Sequence, residues 1–181
     1  NSYKTSGGLH GVGISVVNAL SEKLEIKIYN KSKLFSQTYV RGKSKTKVKI
    51  QKCNKKLKGT TISFTPDKEI FEDINFSPKK LYSFVKMKSV LVKGTKISFS
   101  IDKELIKDKT PIKENFFYPK GIIEFMEKNF PKGKKNLFKN YYANLELNSK
   151  ELCEIYISFN DLEQSSIMSF CNTIETPDGG S

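Results

Sequence analysis

The chain has 181 residues, 37% hydrophobic and 28% charged, with a formal net charge of +13. That is room for one domain or for parts of two, in a composition typical of soluble globular proteins. It excludes a helical membrane span, which needs roughly 18 consecutive apolar residues, and three scattered cysteines with one histidine exclude a zinc-site or disulfide framework.

The first informative stretch is Gly7-Gly8-Leu9-His10-Gly11-Val12-Gly13, followed by Ile14-Ser15-Val16-Val17-Asn18-Ala19-Leu20. Glycines at this density mark a backbone that turns with positive φ or that something approaches closely. Val12, Val16, Ala19 and Leu20 recur at helical spacing. A glycine loop entering a helix directs unpaired N–H groups and the positive end of the helix dipole at one spot, which suits a phosphate. The same pattern also describes a plain tight turn. It is neither a Walker loop, since no Gly-Lys-Ser/Thr follows, nor a dinucleotide fingerprint.

Next, Leu24, Ile26 and Ile28 alternate with Glu25 and Lys27, giving a half-buried strand. Asn30-Lys31-Ser32 is a turn, and Leu34 to Val40 returns as the second arm of a hairpin. Thr46 to Ile50 alternates again. Lys58-Gly59-Thr60-Thr61 opens another strand, with Ile62 and Phe64 expected to face inward. Ser77-Pro78 is a helix start, a capping hydroxyl followed by a first-turn proline. Leu81, Phe84, Val85, Leu91 and Val92 form its apolar stripe, and Gly94 ends it. Ile97, Phe99 and Ile101 then make an edge strand, expected to complete an α/β sandwich of one mixed sheet with helices on one face.

The polar stretch Leu105 to Glu114 is read as a domain boundary. Beyond it, Ile122, Phe125, Met126 and Phe130 share a helix face that Pro131 terminates. Lys132 to Lys139 is a basic loop, read as a solvated connection. Strands are expected over Tyr141 to Leu147 and Leu152 to Phe159, with Cys153, Ile155, Ile157 and Phe159 inward, and another within Ser165 to Ile174. Cys53, Cys153 and Cys171 are expected to be reduced and buried, as in a cytosolic protein. No signal peptide is visible.

The literal string Tyr3-Lys4-x-Ser6-Gly-Gly-Leu-His-Gly-Val-Gly, running into Ser15-Val16-Val17-Asn18-Ala19-Leu20-Ser21, resembles the ATP-lid segment of the B subunits of bacterial type IIA DNA topoisomerases. The likeness runs, with gaps, along nearly the whole chain. It implies an α+β fold: the C-terminal part of a Bergerat-type (Hsp90/gyrase-like) ATPase sandwich over residues 1–113, then the start of a transducer domain over residues 114–181, both incomplete. Phe170-x-Asn172-x-Ile174 and Gly179-Gly180 match the transducer strand and glycine turn.

By that resemblance, Gly8, Leu9, His10, Gly11, Val12, Gly13 and Ile14 wrap the triphosphate of ATP, with His10 reaching a phosphate from inside the loop. Tyr3 matches a tyrosine at the nucleotide pocket. Thr60 matches a threonine in the polar network around adenine, for which a hydroxyl that both donates and accepts is apt. The family's catalytic glutamate, its asparagine ligand for Mg2+ and its adenine-reading aspartate all precede the lid. No catalytic or metal-binding residue is therefore assigned within this chain, and a fragment without turnover of its own is expected. The resemblance further implies DNA, an A subunit in an A2B2 heterotetramer and a second B subunit as partners, with no membrane and a cytoplasmic location. Ile14, Lys86-x-Lys88-x-Val90-Leu91 and Leu105 to Pro111 look more like the topoisomerase IV branch than the gyrase branch. The alternative from charge alone is a non-enzymatic nucleic-acid-binding module using Tyr141 and Tyr142 among lysines.

Overall fold

The computed structural model describes residues 11–148, 151–162 and 165–176. They belong to two compact units that divide between Asn75 and Phe76.

The first unit begins with helix α1 (Gly13–Ala19). Strands β1 (Ser21–Asn30), β2 (Lys33–Val40), β3 (Lys43–Ser44), β4 (Lys49–Lys52) and β5 (Gly59–Pro66) follow and form one sheet in the order β3-β2-β1-β5, with β4 also on β2. Every ladder in it is antiparallel. The expected hairpin is present. Asn30 pairs with Lys33, and the two loop residues Lys31 and Ser32 both have positive φ (47° and 63°), the turn whose twist matches the flanking strands.

The register places Leu24, Ile26 and Ile28 of β1 opposite Phe64, Ile62 and Thr60 of β5. One sheet face is therefore apolar, as the alternation predicts. Only Leu24 is fully buried on it; Ile62 and Phe64, expected to face inward, are 44% and 45% exposed. The alternation is right, but the burial it predicts is complete only at Leu24.

The second unit holds α2 (Pro78–Leu91), β6 (Ile97–Ser100), β7 (Lys113–Phe116), α3 (Ile122–Asn129), β8 (Tyr141–Asn148), β9 (Glu151–Ile157), β10 (Ser169–Cys171) and β11 (Ile174–Thr176). The Ser77 hydroxyl accepts from the Lys80 N–H at 3.4 Å and Pro78 opens α2, so the capping signal reads correctly. Gly94, at φ +77°, stops the chain from continuing as helix.

The core of this unit is Val90, Phe99, Phe116 and Tyr118, with Leu81, Tyr82, Val85, Ile122 and Phe125 packed against it. Tyr82 meets Phe99 and Phe116 edge-on, at centroid distances of 5.5 and 5.3 Å. Phe84, placed on the apolar stripe by spacing, is instead 59% exposed, with the Lys88 ammonium 5.0 Å from its ring centroid.

Two expectations about strands are corrected, the first because pairing between strands distant in the chain leaves no trace in spacing, the second because a tight turn splits one apolar-polar run into two short arms. Strand β6 pairs with β7, not with the five-stranded sheet. The single strand expected within Ser165 to Ile174 is a hairpin, β10 and β11 joined through Asn172 and Thr173, both at positive φ. The cysteines are free but not buried: Cys53 and Cys153 are half-buried and Cys171 is exposed. Ile157 and Phe159 are likewise exposed rather than inward.

Candidate functional site

Gly11, Val12, Gly13 and Ile14 lie together where the chain enters α1. Gly11 sits at φ +64°, a conformation that glycine adopts without a steric penalty. Among the described residues, a Cβ on Gly11 or Gly13 would meet no atom within 4 Å. These positions are open to whatever approaches the backbone.

Val12 is the residue before the helix, and no side chain among the described residues caps the helix start. The first intrahelical bond runs from the Val16 N–H to the Val12 carbonyl at 2.9 Å. The N–H groups of the first turn are thus left without intrahelical acceptors, the arrangement that suits an anionic group. The helix buries none of its residues, and Val12, Ile14 and Val16 are exposed. Tyr3, Gly8, Leu9 and His10 lie outside the described residues.

Thr60 is exposed on β5, opposite Ile28. Ile28 is seven residues along β1 from Ser21, about 23 Å of strand at 3.3 Å per residue. Thr60 therefore stands toward the far end of β1 from the α1 junction. Helix α1 itself lies against β1 and β2.

Sequence reasoning missed the ionic cluster at the base of α1. Asp67, just after β5 and only 2% exposed, accepts from Arg41 Nε at 2.6 Å, from Arg41 Nη2 at 3.3 Å and from the Glu69 N–H at 3.0 Å. The Glu69 N–H and then the guanidinium hold its carboxyl below the ordinary aspartate range. Asp67 reads as a turn residue in the sequence, and it does accept from the N–H two residues on. The available signal for more was that the chain's single arginine had to serve some site where 31 lysines would not.

Among the described residues, no group of three His, Cys, Asp or Glu could hold a metal ion, and no helix is long and apolar enough to cross a membrane. Tyr141 and Tyr142 are neighbours on β8, so they point to opposite faces of the hairpin. Tyr142 is engaged with Glu154 at 2.9 Å. They do not form the one-sided aromatic row that a stacking module needs.

The class of fold follows from comparison with solved structures. The chain superposes on the 43K ATPase domain of Thermus thermophilus gyrase B, solved in complex with an aminocoumarin, with a TM-score of 0.72 and 25% identity, over 93% of this chain and 44% of that one. No protein-family model matches. In sequence, the B subunit of DNA topoisomerase 4 from Rickettsia felis is 40% identical over 183 residues, 99% of this chain. The B subunit of DNA gyrase from Thermotoga maritima is 38% identical over 187 residues, again 99% of this chain. The chain is thus homologous along its whole length to the B subunits of type IIA topoisomerases, as its glycine-loop string implies. It spans 28% of the length of each of these two relatives.

Proposed function

We propose that this chain is the nucleotide-lid and early transducer part of the B subunit of an ATP-driven type IIA topoisomerase. The topoisomerase IV kind, which relaxes or decatenates DNA, is preferred over the negatively supercoiling gyrase kind. The observation that carries the reading is the whole-length identity to such subunits. The open, uncapped entry of Gly11 to Ile14 into α1 supports it.

In this reading Gly8, Leu9, His10, Gly11, Val12, Gly13 and Ile14 cradle the triphosphate. Their N–H groups donate to phosphate oxygens, and the glycines keep Cβ atoms out of the way. Tyr3 and Thr60 contribute at the nucleoside end. ATP supplies the free energy of a cleavable phosphoanhydride when bound. Mg2+ belongs to the same proposal, with its ligand outside this chain. So do DNA, an A subunit in an A2B2 assembly, a second B subunit that docks when ATP binds, and a cytoplasmic location.

The division into ATPase residues 1–113 and transducer residues 114–181 is also part of the proposal. The compact units divide elsewhere, because the core of Val90, Phe99, Phe116 and Tyr118 contains residues from both sides of position 113.

The test is equilibrium binding of a non-hydrolysable ATP analogue to the full-length B subunit that contains this chain. Wild type should bind, and Gly11→Val should bind about tenfold or more weakly, since a β-branched residue at φ +64° forces the loop to rearrange. A full-length protein that binds no adenine nucleotide would overturn the reading. Decatenation against supercoiling by the reconstituted enzyme separates the two branches.

A further inference from the structure

Among the described residues, the hydrogen bonds that tie helix α1 to the rest of its unit lie at its C-terminal end. It buries no residue fully, only Val17 and Asn18 being half-buried where it lies against β1 and β2, so its packing is slight. Its C-terminal end, by contrast, is bonded from three sides. The Asp67 N–H donates to the Leu20 carbonyl at 3.1 Å, and the Arg41 N–H donates to the Ser21 carbonyl at 3.0 Å. The Ser21 hydroxyl donates back to the Val17 carbonyl at 2.5 Å. Ser21 and Asp67 are both essentially inaccessible to solvent.

The side chains lock this junction. Arg41 forks onto the Asp67 carboxylate through Nε and Nη2, and Nη2 also reaches Glu69 Oε1 at 2.5 Å. Arg41 and Gly42 form the two-residue turn between β2 and β3, with φ +50° and +78°. That turn sits directly on the helix: a Cβ on Gly42 would lie 3.3 Å from the Ala19 Cα. Of the 32 basic residues, the one arginine stands at this junction. A planar fork can meet two carboxylates at once with its geometry fixed, which a lysine ammonium cannot reproduce.

We propose that Arg41 and Asp67 are positioning residues: their ion pair sets the direction of α1 and, through it, the place of the Gly11–Ile14 segment at the other end. Seven helical residues span about 10 Å. A tilt of about ten degrees at the base therefore moves the first residue of α1 by about 2 Å, enough to spoil alignment with a bound phosphate. The clamp itself stands on the geometry above; its consequence for nucleotide affinity rests on the proposed function.

The experiment uses the full-length B subunit containing this chain, as wild type, R41Q, R41K and D67N. Two quantities are read: amide hydrogen exchange, and affinity for a non-hydrolysable ATP analogue. R41Q and D67N should speed exchange of the Val16 to Leu20 amides about tenfold or more, while the β1–β5 ladder from Leu24 to Ile28 keeps wild-type protection. Analogue affinity should fall about tenfold in the same variants, with R41K between them and wild type. Unchanged α1 exchange would overturn the proposal, and so would an equal speeding across α1 and the β1–β5 ladder, which marks general destabilisation. If R41Q and D67N fail to fold, R41K decides by the same contrast. If wild type binds no nucleotide, the topoisomerase reading fails while the exchange data still judge the clamp.

Discussion

Lys88, on the last turn of α2, donates to Thr173 twice: its ammonium lies 2.6 Å from the Thr173 carbonyl oxygen and 2.7 Å from Oγ1. Thr173 is a turn residue of the β10–β11 hairpin, held at φ +85°. A contact across 85 positions thus fastens a short hairpin to a helix. Neither strand of that hairpin exceeds three residues, so it needs such an anchor. Burial lowers the Lys88 pKa. Lys88→Met should lower stability by about 1.5 kcal/mol, the low end for a hydrogen-bonded charge because the site is only partly buried. It should also raise exchange selectively over residues 169–176. Thr173→Val, which keeps the carbonyl acceptor, should do about half as much. Equal exchange in wild type and Lys88→Met would refute the anchor.

Tyr82 carries a second prediction. Its hydroxyl donates to Glu114 Oε2 at 2.6 Å, and burial, then the carboxylate, push its pKa up to about 12. The neutral phenol is therefore the folded form. The folded pKa lies above the unfolded value near 10, so this contribution is complete below pH about 10 and is lost as the pH rises toward 12. Absorbance titration should show a tyrosine phase that ionises only as the pH nears 12, and Tyr82→Phe should remove it, while the Tyr156 phenol, also pushed up by burial, is untouched. The same substitution should cost about 1 kcal/mol, the worth of one hydrogen bond.

The core of the second unit is open to a packing test. Val90 on α2 is 1% exposed in the core with Phe99, Phe116 and Tyr118, whereas Phe84 on the same helix is 59% exposed. Val90→Ala should cost about 2 kcal/mol, the transfer free energy of the lost methyls plus a small cavity. Phe84→Ser should cost less than about 1 kcal/mol. Denaturant midpoints at constant m-value measure both. The reverse order would mean that the helix faces the other way.

Gly121, which precedes α3, has φ +61° and ψ −130°. A Cβ there would lie 2.6 Å from Lys93 Cε and 2.9 Å from its Cγ. The lysine chain can move aside; the backbone cannot. Gly121→Ala should therefore destabilise by about 1–3 kcal/mol through backbone strain. Truncating Lys93 in the same protein should recover little of it. Full recovery would show that the clash, not the dihedral, sets the loss.

Local patterns were legible in the sequence wherever the physics is local. Leu24, Ile26 and Ile28 alternate because a strand alternates, the Lys31-Ser32 turn joins two such runs, and Ser77-Pro78 starts α2 by capping a free N–H. The glycine-loop string, read as a likeness, carried the family. None of these depends on a distant residue. What only the tertiary structure decided is which elements meet. The pairing of β6 with β7, the Lys88–Thr173 anchor, the exposure of Phe84, and the Arg41–Asp67 pair at the base of α1 each depend on residues far apart in the chain. Spacing holds no information about such meetings, because an apolar or charged side chain reads the same whether its partner is near in the chain or far along it. Burial and pairing are properties of the assembled chain, set by loop closure and by competition among all possible contacts.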